Sequence, residues 1–189
     1  MDWLSTIVGA VIGFVSSIGI IVVQRLFDRA GKVEIFAKVV FDRPTGSYTW
    51  GFSKNADGLY LNAPIWLEIQ NLSNSSRLLR DINLLLVADG KELAPMIQSN
   101  RTEISGKGEY LFANNGSYSL SIGGRETKRL DCFFMLKANS DISNFDELDL
   151  RYYDEKNRAH MFSLGQVEGD WAVKEFPRSR EWIKLKEKK

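Results

Sequence analysis

Apolar and polar residues alternate with a period of two along most of the chain beyond Lys32. Over residues 33–41 the odd positions are apolar, whereas Glu34 and Lys38 lie on the other side of the segment. Because successive side chains of a strand point to opposite faces, this alternation is typical of a half-buried β-strand. The same pattern recurs at 48–52, 65–69, 82–86, 118–122, 130–136 and 148–152. It predicts an antiparallel all-β domain of about eight to ten short strands.

Turn-forming residues separate these segments where a β-domain needs them. Asn, Asp and Gly mark hairpin-type turns at 55–58, 89–90, 123–124 and 154–157. A longer polar loop, 71–76, joins two strongly apolar segments, 64–70 and 80–88. Because such strands fit naturally into opposite sheets, we expect an immunoglobulin-like β-sandwich, with a small β-barrel as the alternative. The Cys-Trp-Cys pattern of antibody domains is absent.

The N-terminal segment has a different character. Residues 3–23 include no charge, and a helix of this length spans roughly 31 Å at about 1.5 Å per residue, which matches the hydrocarbon core of a bilayer. A signal peptide needs a basic start, but only Asp2 precedes the apolar run. Cations outnumber anions in the flanking residues 24–32. We therefore predict a single transmembrane helix, with the N-terminus outside and the C-terminal domain in the cytoplasm.

Four parts of the chain follow from these patterns. They are a transmembrane helix at 1–24, a juxtamembrane linker at 25–31, a β-sandwich domain at 32–166 and a basic C-terminal tail at 167–189. Trp182 lies among the cations of the tail, a pattern that fits either anionic headgroups or a solvated terminus. Over the whole chain, 25 Lys and Arg residues balance 24 Asp and Glu residues. This balance argues against nucleic acid as a partner.

Small residues recur every four positions in the N-terminal segment, at Ser5, Gly9, Gly13 and Ser17. At this spacing they share one helix face, and two backbones can approach closely where side chains are small. We therefore expect the lipid bilayer as a partner, together with a homo-oligomer or a partner membrane helix. The competing interpretation is that small residues are simply common in membrane helices.

The chain has few of the residues and motifs that enzymes commonly use for catalysis. It has one histidine and one cysteine, and it lacks the familiar nucleophile, zinc and phosphate-loop motifs. We therefore expect no enzyme activity, no cofactor and no metal site. Cys132 is in phase with its apolar neighbours and is predicted to be buried, whereas His160 is predicted to be exposed on a strand. The acidic stretch 141–149 lacks the EF-hand order and is predicted to be a solvated loop.

One aromatic segment has a plausible binding chemistry. The candidate ligand-binding residues are Arg43, Tyr48, Trp50, Phe52 and Lys54. Flat rings beside cations can stack a base and meet a phosphate. Aromatic residues at a period of two are also typical of a sandwich core, which is the interpretation that we favour.

These patterns predict a single-pass membrane-anchored protein whose cytoplasmic β-sandwich is an interaction or sensor module. Its ligand would be a protein or a small molecule, and it would assemble through its helix. The alternative is a membrane-perturbing effector of a bacterial antiphage defence or toxin system, gated by ligand binding to the β-domain. That layout is similar to the layout of cyclic-nucleotide-gated membrane effectors. No motif in the chain identifies a family.

Overall fold

The computed structural model describes residues 3–29, 31–40, 50–56, 58–104, 106, 108–137, 144–169, 176 and 181–188. An α-helix, α1, covers Trp3–Arg29. Within α1, Ser17 Oγ donates a hydrogen bond to the carbonyl of Gly13, one turn earlier, at 2.8 Å. The surroundings of Ser5 and Gly9 on this helix face lie outside what the structure describes.

Among the residues that the structure describes, no helix is long and apolar enough to cross a membrane. The predicted localisation, with the N-terminus outside and the C-terminal domain in the cytoplasm, is wrong on this finding. The helix α1 is likewise not shown to be the predicted transmembrane helix.

Strands account for most of the described chain after α1. In chain order they are β1 (Val33–Val39), β2 (Gly51–Asn55), β3 (Gly58–Asn71), β4 (Arg77–Ala88), β5 (Lys91–Pro95), β6 (Ile97–Gln98), β7 (Arg101–Ile104), β8 (Gly108–Leu111), β9 (Leu120–Ile122), β10 (Thr127–Lys137), β11 (Glu147–Tyr153), β12 (Ala159–Gln166), β13 (Ile183–Lys184) and β14 (Lys186–Glu187).

Two six-stranded antiparallel sheets contain most of these strands. The first has the order β13-β1-β3-β10-β6, with β2 also paired to β3, and the second has the order β14-β12-β11-β4-β5, with β9 also paired to β4. Strands β7 and β8 form a separate hairpin. This arrangement confirms the predicted antiparallel all-β fold. Because the described strands form open sheets, the alternative of a closed barrel is wrong.

The core lies between the inner faces of the two sheets. Strand β3 is the longest, and its alternate residues from Leu61 to Ile69 are fully buried. They pack with inward-facing residues of the second sheet, among them Leu84 and Leu150. Cys132 is fully buried in the same cluster, as its phase in the sequence predicted.

The polar loop 71–76 carries the chain from the first sheet to the second, as predicted. Asn71 is almost fully buried at its start. Its Nδ2 donates to the carbonyls of Ser75 and Gly123, both at 2.8 Å, and its Oδ1 accepts from the backbone and hydroxyl of Ser73. These bonds satisfy a buried amide and hold the crossing in one shape.

The C-terminal residues join the edges of both sheets. Strand β13 pairs with β1 in the first sheet, and β14 pairs with β12 in the second. Between them Leu185 is buried, and its N–H donates to the carbonyl of Ile35 at 2.9 Å. Residues 183–188 of the predicted tail thus lie across one open side of the sandwich.

Candidate functional site

The predicted aromatic site is described only in part. Arg43 and Tyr48 lie outside the described residues, and Lys54 is exposed. Trp50 and Phe52 are half-buried and pack against the core. The ring centroid of Trp50 lies 5.3 Å from that of Phe176. Apolar packing of this kind is typical of core aromatics, and the binding role of the five residues stays a prediction.

A different cluster stands out around His160. A cleft of about 200 Å³, here called the His160 cleft, is lined by Gly31, Lys32, Val33, Arg77, Leu78, Leu79, Tyr152, Asp154, Glu155, Arg158, His160 and Glu187. Four parts of the fold meet there: the segment that follows α1, the start of β4, the turn between β11 and β12 with the strand ends beside it, and the C-terminal strand β14. The cleft therefore combines residues that are far apart in the sequence.

Asp154 organises the turn between β11 and β12. Its Oδ1 accepts hydrogen bonds from the backbone N–H groups of Lys156 and Arg158, both at 2.9 Å. Its Oδ2 accepts from Arg158 Nε at 2.8 Å. Burial alone would raise the pKa of Asp154, but hydrogen bonds from Arg158, His160 and Lys156 hold this pKa well below its ordinary value. Asp154 is therefore a fixed negative charge at neutral pH.

His160 lies between two carboxylates. Its Nε2 is 3.2 Å from Asp154 Oδ2, and its Nδ1 is 2.6 Å from Glu187 Oε1. A neutral imidazole has one N–H, so only the doubly protonated ring can donate to both carboxylates. His160 lies on β12, so the predicted strand position is confirmed, but its side chain is 24% exposed, so the predicted exposure is wrong. The reason is that β14 adds beside β12 and places Glu187 against the ring.

The ring of Tyr152 stacks on the imidazole of His160. The two rings stack with their centroids 4.9 Å apart and their planes 11° from parallel. Burial, with the charges of Glu187 and Asp154, raises the pKa of Tyr152 far above its ordinary value. The hydroxyl therefore stays protonated, and Tyr152 acts as a neutral platform that limits how the imidazole can rotate.

Arg77 connects the cleft to the segment that follows α1. Its NH2 group donates to the carbonyl of Gly31 at 3.3 Å, and its NH1 group lies 3.4 Å from Glu155 Oε1. Gly31 has a φ of +121°, and a Cβ there would come within 2.7 Å of the Leu72 carbonyl oxygen. Only glycine suits this position, because its backbone is both left-handed and closely packed. The segment after α1 is thus seated firmly against the sandwich.

Sequence reasoning singled out His160 but missed its partners. The turn at 154–157 was visible as a turn, and an aspartate at its first position is a recognisable signal for side-chain to backbone bonding. Glu187 carried no such signal, because its place beside His160 depends on how the C-terminal strand pairs. Within the described part of the chain, no group of three or more His, Cys, Asp or Glu side chains is arranged to hold a metal ion.

Comparison of the chain with protein-family models and with curated proteins found no match.

Proposed function

We propose that the β-sandwich is an interaction or sensor module and that the His160 cleft binds a small polar ligand. The observation that supports this function is that positively and negatively charged side chains line the same small cleft. Arg77 and Arg158 supply cations, and Asp154 and Glu187 supply anions. Apolar residues, including Leu79, line the cleft between them. Binding sites commonly combine an apolar lining with a few charged groups that orient the ligand.

The ligand class that matches this arrangement is a small zwitterion, such as a free amino acid. A ligand carboxylate can accept the charge-assisted hydrogen bonds of Arg77, and a ligand ammonium can donate to Glu187. The cleft of about 200 Å³ is smaller than typical drug-sized pockets of about 300–1,000 Å³. A ligand of a few heavy atoms therefore fits the volume better than a nucleotide does.

The position of the cleft supports a sensor role. Residues 31–33, which form part of its wall, follow directly after α1. A ligand that competes for Arg77 weakens the bond from Arg77 to the Gly31 carbonyl. Binding would then alter how the segment after α1 is held against the sandwich.

The strand order supports an immunoglobulin-like topology for the sandwich. The order β1-β3-β10-β6 in one sheet and β5-β4-β11-β12 in the other corresponds to A-B-E-D and C′-C-F-G of immunoglobulin domains. Folds of this kind serve many functions, so the topology alone does not identify the ligand.

The test is calorimetric titration of the full chain with each free amino acid, beside acetate and methylamine as probes that carry one charge. We expect at least one amino acid to bind and the two singly charged probes to fail. Arg77→Gln should weaken that binding about tenfold or more, because a charge-assisted hydrogen bond is worth about 1.5–3 kcal/mol.

Arg101→Gln is the matched control, since Arg101 also pairs with a glutamate, Glu109 at 3.0 Å, but lies on β7 and does not line the cleft. The proposal would be contradicted if none of the amino acids bound. Equal weakening by Arg77→Gln and Arg101→Gln would also contradict it, because the effect would then not depend on the cleft.

A further inference from the structure

Two carboxyl groups and one amine meet on the second sheet, away from the His160 cleft. Lys188 Nζ lies 2.7 Å from Asp149 Oδ2 and 2.9 Å from Glu147 Oε2. Ser163 Oγ donates to Glu147 Oε1 at 2.5 Å. Glu147, Asp149 and Lys188 are called the Lys188 triad below. Its geometry brings an amine into contact with a carboxyl group of the same chain.

Strand pairing holds the members of the triad in place. Asp149 on β11 lies opposite Ser163 on β12, and Ser163 lies opposite Lys186 on β14. The backbone N–H of Lys188 donates to the carbonyl of Met161 on β12 at 2.7 Å. The side chain of Lys188 thus reaches from one edge of the sheet, past β12, to β11.

Asp149 is an unusual carboxyl group. It is 1% exposed, and its Oδ1 has no hydrogen-bond partner among the described residues. Burial raises the pKa of Asp149 above its ordinary value, and the nearby charge of Glu147 adds to this rise. A buried carboxylate with an unpaired oxygen is costly, so a reaction that removes its charge is favoured.

The contacts within the triad hold its other two members, Glu147 and Lys188, in their charged forms. Burial alone would raise the pKa of Glu147, but hydrogen bonds from Ser163 and Lys188 keep this pKa below its ordinary value. Hydrogen bonds to Asp149 and Glu147 likewise outweigh burial and raise the pKa of Lys188. Before the amine can attack, it must therefore lose a proton, and Glu147 Oε2 is the adjacent base.

We propose that Lys188 and Asp149 form an intramolecular isopeptide bond, with Glu147 as the proton carrier. Glu147 passes a proton from the Lys188 ammonium to Asp149, and Nζ of the neutral amine then attacks Cγ of the neutral carboxyl group. As the new C–N bond forms, one C–O bond of Asp149 breaks, and its oxygen leaves as water with two protons from the former ammonium. The ammonium and carboxylate together become one amide and one water molecule, and no oxidant or other co-reactant is needed.

The contact between Lys188 Nζ and the Asp149 carboxyl group gives the two reacting groups a high effective concentration. Well-oriented intramolecular reactions reach effective concentrations of about 10⁵–10⁸ M, so a reaction that is unfavourable between free groups becomes accessible. The amide product removes two charges, one of which belongs to the buried carboxyl group of Asp149. Its N–H still has Glu147 within reach as an acceptor.

The bond would tie the last strand to β11 across β12. It would secure the segment that contains the buried Leu185 and the cleft residue Glu187. The C-terminal edge would then stay in place even when the hydrogen bonds of its two-residue strands break.

The test is the intact mass of the purified, denatured full chain, measured after the folded protein has been stored at neutral pH. We expect the wild-type chain to be lighter than its sequence mass by one water molecule. Digestion should yield a branched peptide that joins the β11 segment to the C-terminus. Lys188→Arg should have the full sequence mass, and Glu147→Gln should contain much less of the lighter form.

Lys184→Arg is the matched control, because Lys184 also contacts a glutamate, Glu34, but lies on β13 of the other sheet. It should lose water as the wild type does. A full mass for the wild-type chain would overturn the proposal without reference to any variant. Loss of water that persists in Lys188→Arg would also overturn it, since it would indicate a succinimide at an aspartate. Circular dichroism of each variant shows that it has folded before its mass is compared.

Discussion

Glu187 Oε1 lies 2.6 Å from His160 Nδ1, although 27 residues separate the two in the chain. This pair joins the C-terminal strand β14 to β12, next to the turn that Asp154 organises. It makes the last residues of the chain part of the candidate site. The C-terminal segment therefore contributes both to the closure of the sandwich and to the lining of the His160 cleft.

Replacement of His160 by Phe should loosen the C-terminal strand. Phe can retain the stack on Tyr152 but cannot donate to Asp154 or Glu187. We expect the free energy of unfolding to fall by about 1.5–3 kcal/mol, because a hydrogen bond to a charged group is worth that much. Hydrogen exchange at the N–H of Lys188, measured in full-length protein, should become faster. Unchanged exchange in His160→Phe would show that the two carboxylate contacts do not hold β14.

Replacement of Asp154 by Asn should destabilise the fold in a pH-dependent way. The pKa of Asp154 is lowered in the folded state, so its carboxylate stabilises the fold above its unfolded pKa of about 3.9. That contribution declines as the pH falls below this value towards the folded pKa. We expect Asp154→Asn to cost about 2 kcal/mol at pH 7. Urea unfolding at a series of pH values should show the difference from wild type shrinking in acid.

Glu155 provides the control for Asp154. Its side chain is 40% exposed and contacts Arg77 at 3.4 Å. Exposed ion pairs contribute about 0–1 kcal/mol, so Glu155→Gln should change stability little at any pH. A pH-independent loss in Asp154→Asn would mean that the side chain acts through its shape rather than its charge.

Leu185 should contribute more to the stability of the fold than Ile183, two residues earlier. Leu185 is buried between the two short strands, whereas Ile183 is 36% exposed. Buried Leu→Ala changes cost about 2–5 kcal/mol through lost burial and a residual cavity. Thermal unfolding of the full chain should therefore show a large fall for Leu185→Ala and a small one for Ile183→Ala. Similar falls would indicate that the C-terminal segment does not seal the core.

Substitution of Trp50 tests whether the aromatic segment 48–52 belongs to the core or to a binding site. Its ring is half-buried against Phe176, so Trp50→Ala should cost about 2–3 kcal/mol, less than the 3–5 kcal/mol of a fully buried ring. Lys54→Ala, at an exposed position, should leave the melting temperature unchanged. Titration with adenosine monophosphate provides the second readout. Binding that both variants abolish without loss of stability would assign the segment to recognition instead.

Local patterns in the sequence determined the class of the fold. The alternation of apolar and polar residues predicted the strands, because successive side chains of a strand point to opposite faces, one towards the core and one towards solvent. This signal lies in residues that are neighbours in the sequence. The crossing at 71–76 and the burial of Cys132 follow from the same kind of signal. A long run without charges also predicted a membrane crossing at the N-terminus, which the described residues of α1 do not support.

Tertiary structure alone decided which polar residues meet. His160 and Glu187, and likewise Asp149 and Lys188, which are 39 residues apart, come together because β14 pairs with β12. The strand β14 has two residues, and so short a segment has no periodicity that could reveal its partner. The choice of edge depends on the burial of Leu185 and on charge pairing across the sheet, and these are properties of the assembled sandwich.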